Sequence, residues 1–199
     1  QSGSEADMAA ARLARAYTRK KKIIKFRGAY HGWADQFVTD MWVPGTGPAL
    51  ARGIPPEYQA HTLLVYQNDL DELERAFKQH EDDVAAVFVE PLGAESGSLP
   101  LTDGFHQEVR KLCDRYGALH VFDEVVTAFR LGLGGAQAHC KIEPDLTILG
   151  KIIMGGYPSC GAVAGKAEIM DTLSSATGVG GRTAFVAGTL AANVLSAAA

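Results

Sequence analysis

Apolar residues fall at helical spacing near the start of the chain. Ala6, Ala9, Ala10, Leu13, Ala14 and Tyr17 share one stripe, while Arg12, Arg15 and Arg19 lie off it. Such a stripe predicts an amphipathic helix over residues 4–18. Ser2-x-x-Glu5 has the form of a capping box and puts the helix start at Ser2-Gly3-Ser4. The period then changes. Ile23-Ile24-Lys25-Phe26 and residues 61–66, 84–89, 119–122, 146–149 and 162–164 read as short apolar strands. Helical patterns recur over 69–80, with Leu70, Leu73, Ala76 and Phe77 inward, and over 105–116, with Phe105, Val109, Leu112, Cys113 and Tyr116 inward. Gly117 stops the second of these. A further helix is expected over 167–173, and the apolar run 183–199 reads as a buried helix.

Short apolar strands alternating with helices imply an α/β fold, a mainly parallel sheet covered by helices on both faces. No linker or internal repeat divides the chain. Residues 33–59 hold Pro44, Pro48, Pro55 and Pro56 and form a connection long enough to lie over a site.

Composition narrows the function classes. With 199 residues, 47% hydrophobic and a net charge of −4, the chain can bury a sizeable core and is not a disordered one. That balance offers no basic field for nucleic acid. The run 183–199 is shorter than the ~20 residues a membrane-spanning helix needs, so no membrane partner is expected. Cys113, Cys140 and Cys160 are odd in number and widely spaced, which favours a reducing, cytoplasmic setting over a disulfide framework. The histidines show no metal-ligand spacing, and no metal is expected.

In an open parallel sheet, ligands bind beyond the carboxyl ends of the strands. Glu90, Asp123 and Lys151 fall at such ends, the last two 28 residues apart, about one strand–crossover–strand unit. Each alone could be structural, an Asp that caps and a Lys that is solvated. The Ser2-Gly3-Ser4 helix start adds free N–H groups and the positive end of a helix dipole, a natural phosphate cradle, although serine also caps ordinary helices. A phosphate cradle, a carboxylate and a lone lysine are what pyridoxal phosphate requires: phosphate site, partner for the ring nitrogen, and Schiff-base amine. Other motifs fail. Gly132-Leu133-Gly134-Gly135 does not continue as a dinucleotide fingerprint, Gly150-Lys151 runs into Ile152 rather than Ser or Thr, and no serine sits in a nucleophile elbow.

Ser2-Gly3-Ser4-Glu5-Ala6, Tyr30-His31-Gly32, Phe122-Asp123-Glu124-Val125 and Leu149-Gly150-Lys151 stand in order along the chain. Together they resemble the large domain of class III pyridoxal-phosphate-dependent aminotransferases of fold type I, in particular glutamate-1-semialdehyde aminomutase-like proteins. The resemblance implies that Gly3 and Ser4 bind the cofactor phosphate. Tyr30 would stack on one face of the ring with His31 beside it, and Val125 would pack on the other face. Asp123 would pair with the ring nitrogen and Lys151 would form the Schiff base. Thr189 would reach the phosphate of a neighbouring subunit in a homodimer with shared active sites.

An aminotransferase moving an amino group between an amino acid or amine and a keto acid or aldehyde is the main expectation. Glu95 tilts toward it, since related aminomutases usually carry Asn at this position and transaminases of ω-amino groups often carry Glu; Glu95 could instead simply face solvent. Intramolecular amino transfer of the aminomutase type is the alternative; Ala128 and Val194 replace the Gly and Pro usual at their positions, and Trp33 differs from the His typical of the aminomutase. A non-catalytic fold relative and an unrelated nucleotide-binding domain are the remaining readings. Against the family, residues 1–199 are expected to be an incomplete large domain, lacking an N-terminal segment and a small C-terminal domain. Such a piece would bind cofactor weakly and tend to associate.

Overall fold

In the computed structural model, the described residues are 1–43, 47–49, 52–155, 160–173, 184–189, 191 and 194–198. The chain runs α1 (Gly3–Thr18), β1 (Lys22–Phe26), β2 (Met41–Val43), β3 (Gly47–Ala49), α2 (Pro56–Gln59), β4 (Thr62–Val65), α3 (Leu70–Gln79), β5 (Val84–Val89) and α4 (Ala94–Gly97). It continues with α5 (Phe105–Tyr116), β6 (Leu119–Asp123), α6 (Gly135–Cys140), β7 (Leu146–Gly150), a 3-10 turn (Lys151–Met154), β8 (Gly161–Gly165), α7 (Ala167–Met170), a second 3-10 turn (Asp171–Leu173) and α8 (Val194–Ala198).

Six strands form one sheet in the order β4-β1-β5-β6-β7-β8. All neighbours are parallel except β7 and β8, which run antiparallel with Leu146 opposite Gly165. The expected α/β class and mainly parallel sheet are therefore what the chain adopts. Both faces of the sheet are buried. Ile23, Ala86, Phe88, Val121, Leu146 and Ile148 join the inward side of α1 in one cluster, and Ile24, Val87, Val89 and Phe122 join Leu73, Phe77, Val109 and Leu112 of α3 and α5 in the other. Burial on two faces explains why these strands read as apolar runs rather than alternating ones.

The helix starts carry their chemistry in sequence. Ser2 Oγ accepts the Glu5 N–H at 3.2 Å, and Asp69 Oδ1 accepts the Glu72 N–H at 2.7 Å. Gly117 ends α5 at φ 60, in the left-handed region that glycine adopts freely.

The connection 33–59 contains the β2–β3 hairpin and α2, and Lys25 Nζ reaches into it to donate to the Phe37 and Thr39 carbonyls at 3.1 and 2.8 Å. The buried helix expected over 183–199 is, among the described residues, only α8, and Phe185, Val186 and Val194 are exposed. An apolar stretch adopts a helix when a surface covers it, and apolar content alone does not supply that surface.

Candidate active site

β6 and β7 lie side by side, with Asp123 opposite Ile148, so their carboxyl ends open on the same edge. Asp123 closes β6, and Lys151 follows the last residue of β7. The start of α1 meets both. A Cβ built on Gly150 would stand 3.2 Å from Val125 Cγ1 and 3.4 Å from Gly3 Cα, and one built on Gly3 would stand 2.9 Å from Val125 Cγ2. Larger residues at Gly3 or Gly150 would hold these three segments apart. The turn after β1 closes the group: Gly32 has φ +78, and a Cβ there would lie 2.6 Å from Ser4 Cα. Segments distant in sequence thus bring Gly3, Ser4, Tyr30, His31, Asp123, Val125 and Lys151 to one end of the sheet.

Asp123 is buried and both its oxygens are engaged. Oδ2 lies 2.8 Å from His31 Nδ1, and Oδ1 accepts the Val125 N–H at 3.1 Å. His31 is fully buried, with its ring edge-on to Phe37 and Phe88. Tyr30 keeps a ring 42% exposed, while its N–H donates to Glu90 Oε1 at 2.8 Å. Glu90, at the end of β5, thereby fixes the backbone that presents the tyrosine. Lys151 is exposed at φ 49, a left-handed conformation uncommon outside glycine, and its carbonyl accepts from Cys160 Sγ at 3.2 Å.

Two expected residues stand apart. Thr189 is exposed, with no hydrogen bond to the cluster among the described residues. Glu95 belongs to α4, but its side chain lies outside the described residues.

The family model for aminotransferase class III matches residues 1–199. The chain belongs to that family. A glutamate-1-semialdehyde 2,1-aminomutase of Caldicellulosiruptor saccharolyticus is 46% identical over 196 residues, covering 96% of this chain and 43% of the relative. An ω-transaminase from Sphaerobacter thermophilus superposes with a TM-score of 0.83 at 38% identity, over 95% of this chain and 44% of that one. A transaminase with PLP bound superposes at 0.82, with 34% identity, 95% of this chain and 44% of that one. The chain therefore spans less than half the length of the relatives it matches. Among its described residues, no helix is long and apolar enough to cross a membrane.

Two further acidic residues of this class III chain were given no role by the motif reading, although Glu124 stands inside one of the motifs. Glu124 is buried and accepts from Ala136 N–H at 2.6 Å, Gln137 Nε2 at 3.2 Å and Thr127 Oγ1 at 3.0 Å. It caps α6 and pins the segment that leaves Asp123. Asp7 lies in α1 and is buried; its Oδ1 is 3.9 Å from His31 Nδ1. Its signal was periodic, since Asp7 shares the inward face with Ala10, Ala11 and Ala14. Burial pushes the Asp7 carboxyl well above the usual range; the Asp123 charge, a hydrogen bond with Asp123 and the Glu90 charge push it further, against the Lys151 charge.

Proposed function

We propose that this chain supplies the pyridoxal-phosphate-binding large domain of an aminotransferase, with Asp123 and Lys151 as its catalytic residues. The observation that carries the reading is the meeting of Gly3, Val125 and Gly150, which sets a helix N-terminus, the Asp123 strand end and the Lys151 strand end around one space. The residues fit the cofactor: N–H groups at the α1 start for the phosphate, a buried carboxylate for the ring nitrogen, an exposed amine for the carbonyl, and Tyr30 and Val125 on the two sides of the ring.

Pyridoxal phosphate, when bound, supplies a carbonyl that condenses with amines and a ring that withdraws electrons from the substrate carbon. Asp123 holds the ring nitrogen protonated, because a nearby opposite charge favours the cationic form. His31 and the Val125 N–H orient Asp123 for that task. Lys151 provides the amine that fastens the cofactor. The same amino group would carry the proton at the substrate Cα. Gly3 and Ser4 receive the phosphate, and Glu90 keeps Tyr30 in place through the backbone.

An amino acid or amine would be the donor and a keto acid or aldehyde the acceptor, with Glu95 the candidate partner, on sequence grounds, for a substrate-binding cation. The curated relative named above is an aminomutase, which favours intramolecular amino transfer as a second reading. The exposed Thr189 supports a homodimer in which it reaches the partner's cofactor phosphate. So does a groove of about 670 Å³ beside α1, lined by Met8, Ala9, Arg12, Val163 and Val186. Cys113, Cys140 and Cys160 are all free, in keeping with a cytoplasmic protein.

Reduction with borohydride in the presence of pyridoxal phosphate, followed by peptide mapping, tests the assignment. The label is expected on Lys151 and absent from Lys151→Ala; a label that persists in the variant overturns it. Release of a keto acid from an amino acid given alone supports the transaminase, and isomerisation of one substrate without a partner supports the aminomutase.

A further inference from the structure

Three acid–base side chains from three elements meet beneath the space described above. Asp7 comes from α1, His31 from the turn after β1 and Asp123 from β6, and one donor atom of each lies within 4.8 Å of the other two. All three are buried, with Asp7 1% exposed. Their hydrogen bonds are unequal. Asp123 accepts on both oxygens, from His31 Nδ1 and from the Val125 N–H, as an ionised carboxylate does. Asp7 Oδ1 has no hydrogen-bond partner among the described residues.

A buried carboxylate oxygen without a donor is costly, whereas a protonated carboxyl leaves less charge to satisfy. Two carboxyls this close in a buried site do not both ionise, and the proton goes to the one with fewer donors. We infer that Asp7 is a neutral carboxylic acid and a positioning residue, which fills the space behind His31 and Asp123 while leaving Asp123 as the single negative group facing the cofactor. This role rests on the cofactor reading given above. With Asp7 neutral, the Asp123 charge is answered by the ring nitrogen rather than divided between two carboxylates and His31.

The charged and titratable groups facing Asp7 come from every surrounding element: Asp123 from β6, His31, Glu90 after β5, Lys151 after β7 and Lys25 from β1. Lys25 Nζ donates to two backbone carbonyls, and its charge and that of Lys151 both oppose the proton on Asp7.

The test needs no catalysis. The folded chain keeps a proton on Asp7 that the unfolded chain releases above the ordinary value of 3.8. The stability contributed by that proton is complete below this pH and is lost as pH rises toward the folded value. Unfolding of the intact protein prepared without cofactor should therefore show the wild type losing ground to Asp7→Asn above pH 3.8, by up to about tenfold in the unfolding constant per pH unit. A gap that does not change with pH, or a wild type that gains on the variant, overturns the inference, because Asp7 would then be ionised and paired with a charged His31. Infrared spectra of the wild type alone decide the matter if the variant does not fold. A protonated carboxyl C=O band that persists at neutral pH supports the inference, and its absence overturns it. Failure of the cofactor reading would show separately, as loss of the borohydride label from Lys151.

Discussion

Gly161 of β8 lies against the Ser2 carbonyl so closely that a Cβ on Gly161 would stand 2.0 Å from that oxygen. This contact seats the start of α1 on the sheet and aims its free N–H groups at the end of β7. A backbone atom cannot swing aside as a flexible side chain can. Gly161→Ala is expected to cost about 1–3 kcal/mol in urea unfolding and to weaken retention of pyridoxal phosphate on gel filtration. Gly188→Ala, which meets nothing within 4 Å, is the control and should be near neutral.

His31→Ala removes the donor to Asp123 Oδ2 and leaves a buried carboxylate with one hydrogen bond fewer. A hydrogen bond to a charged group contributes about 1.5–3 kcal/mol, and urea unfolding at neutral pH should show a loss in that range. His31→Gln, which can still donate, should lose less.

Lys25 has a side chain fully buried in β1, and burial pulls its amine down to about 8 against the charges of Asp40 and Glu90. Between about pH 8 and the ordinary 10.5, the unfolded chain binds more protons than the folded one. Wild-type stability should therefore rise relative to Lys25→Met across that window and run parallel to it below. Thermal unfolding at a series of pH values reads this directly. A constant difference would mean that Lys25 titrates alike in both states.

Asp145 accepts from Arg110 Nη1 and Lys166 Nζ at 2.6 Å each and from the His120 N–H at 2.8 Å. Burial pushes its carboxyl up, but the bonds from Lys166, Arg110 and His120 outweigh burial and hold it below the usual 3.8. Its contribution is present above that value and is lost as pH falls through the folded one. Asp145→Asn should cost about 1.5–3 kcal/mol at neutral pH, as losing charge-assisted hydrogen bonds does. In acid, the gap between variant and wild type should narrow.

The strands β1 and β4 to β8 were legible as apolar runs, and the helices α1, α3 and α5 because each buries a face whose period survives in the sequence. The short helices α2 and α6 were not, since so few positions carry no period, nor was the β2–β3 hairpin, which lies among prolines and glycines. The tail is apolar, and its Phe185 and Val186 are exposed; composition marked the run but not what would cover it.

Of the site, the sequence by itself pointed to the residues proposed to carry the chemistry. A lysine after a strand, an acid at the end of another and a Ser-Gly-Ser helix start each announce themselves locally. Only the tertiary structure decided that they face one space, because the approach depends on the absence of a Cβ at Gly3, Gly32, Gly150 and Gly161. It also decided the part of Asp7. In sequence, Asp7 is a polar residue in an alanine-rich helix; it becomes a buried acid only when the rotation of α1 on the sheet turns it toward His31 and Asp123. Ionisation of such a group depends on what surrounds it in space, and those neighbours come from strands and turns far away along the chain.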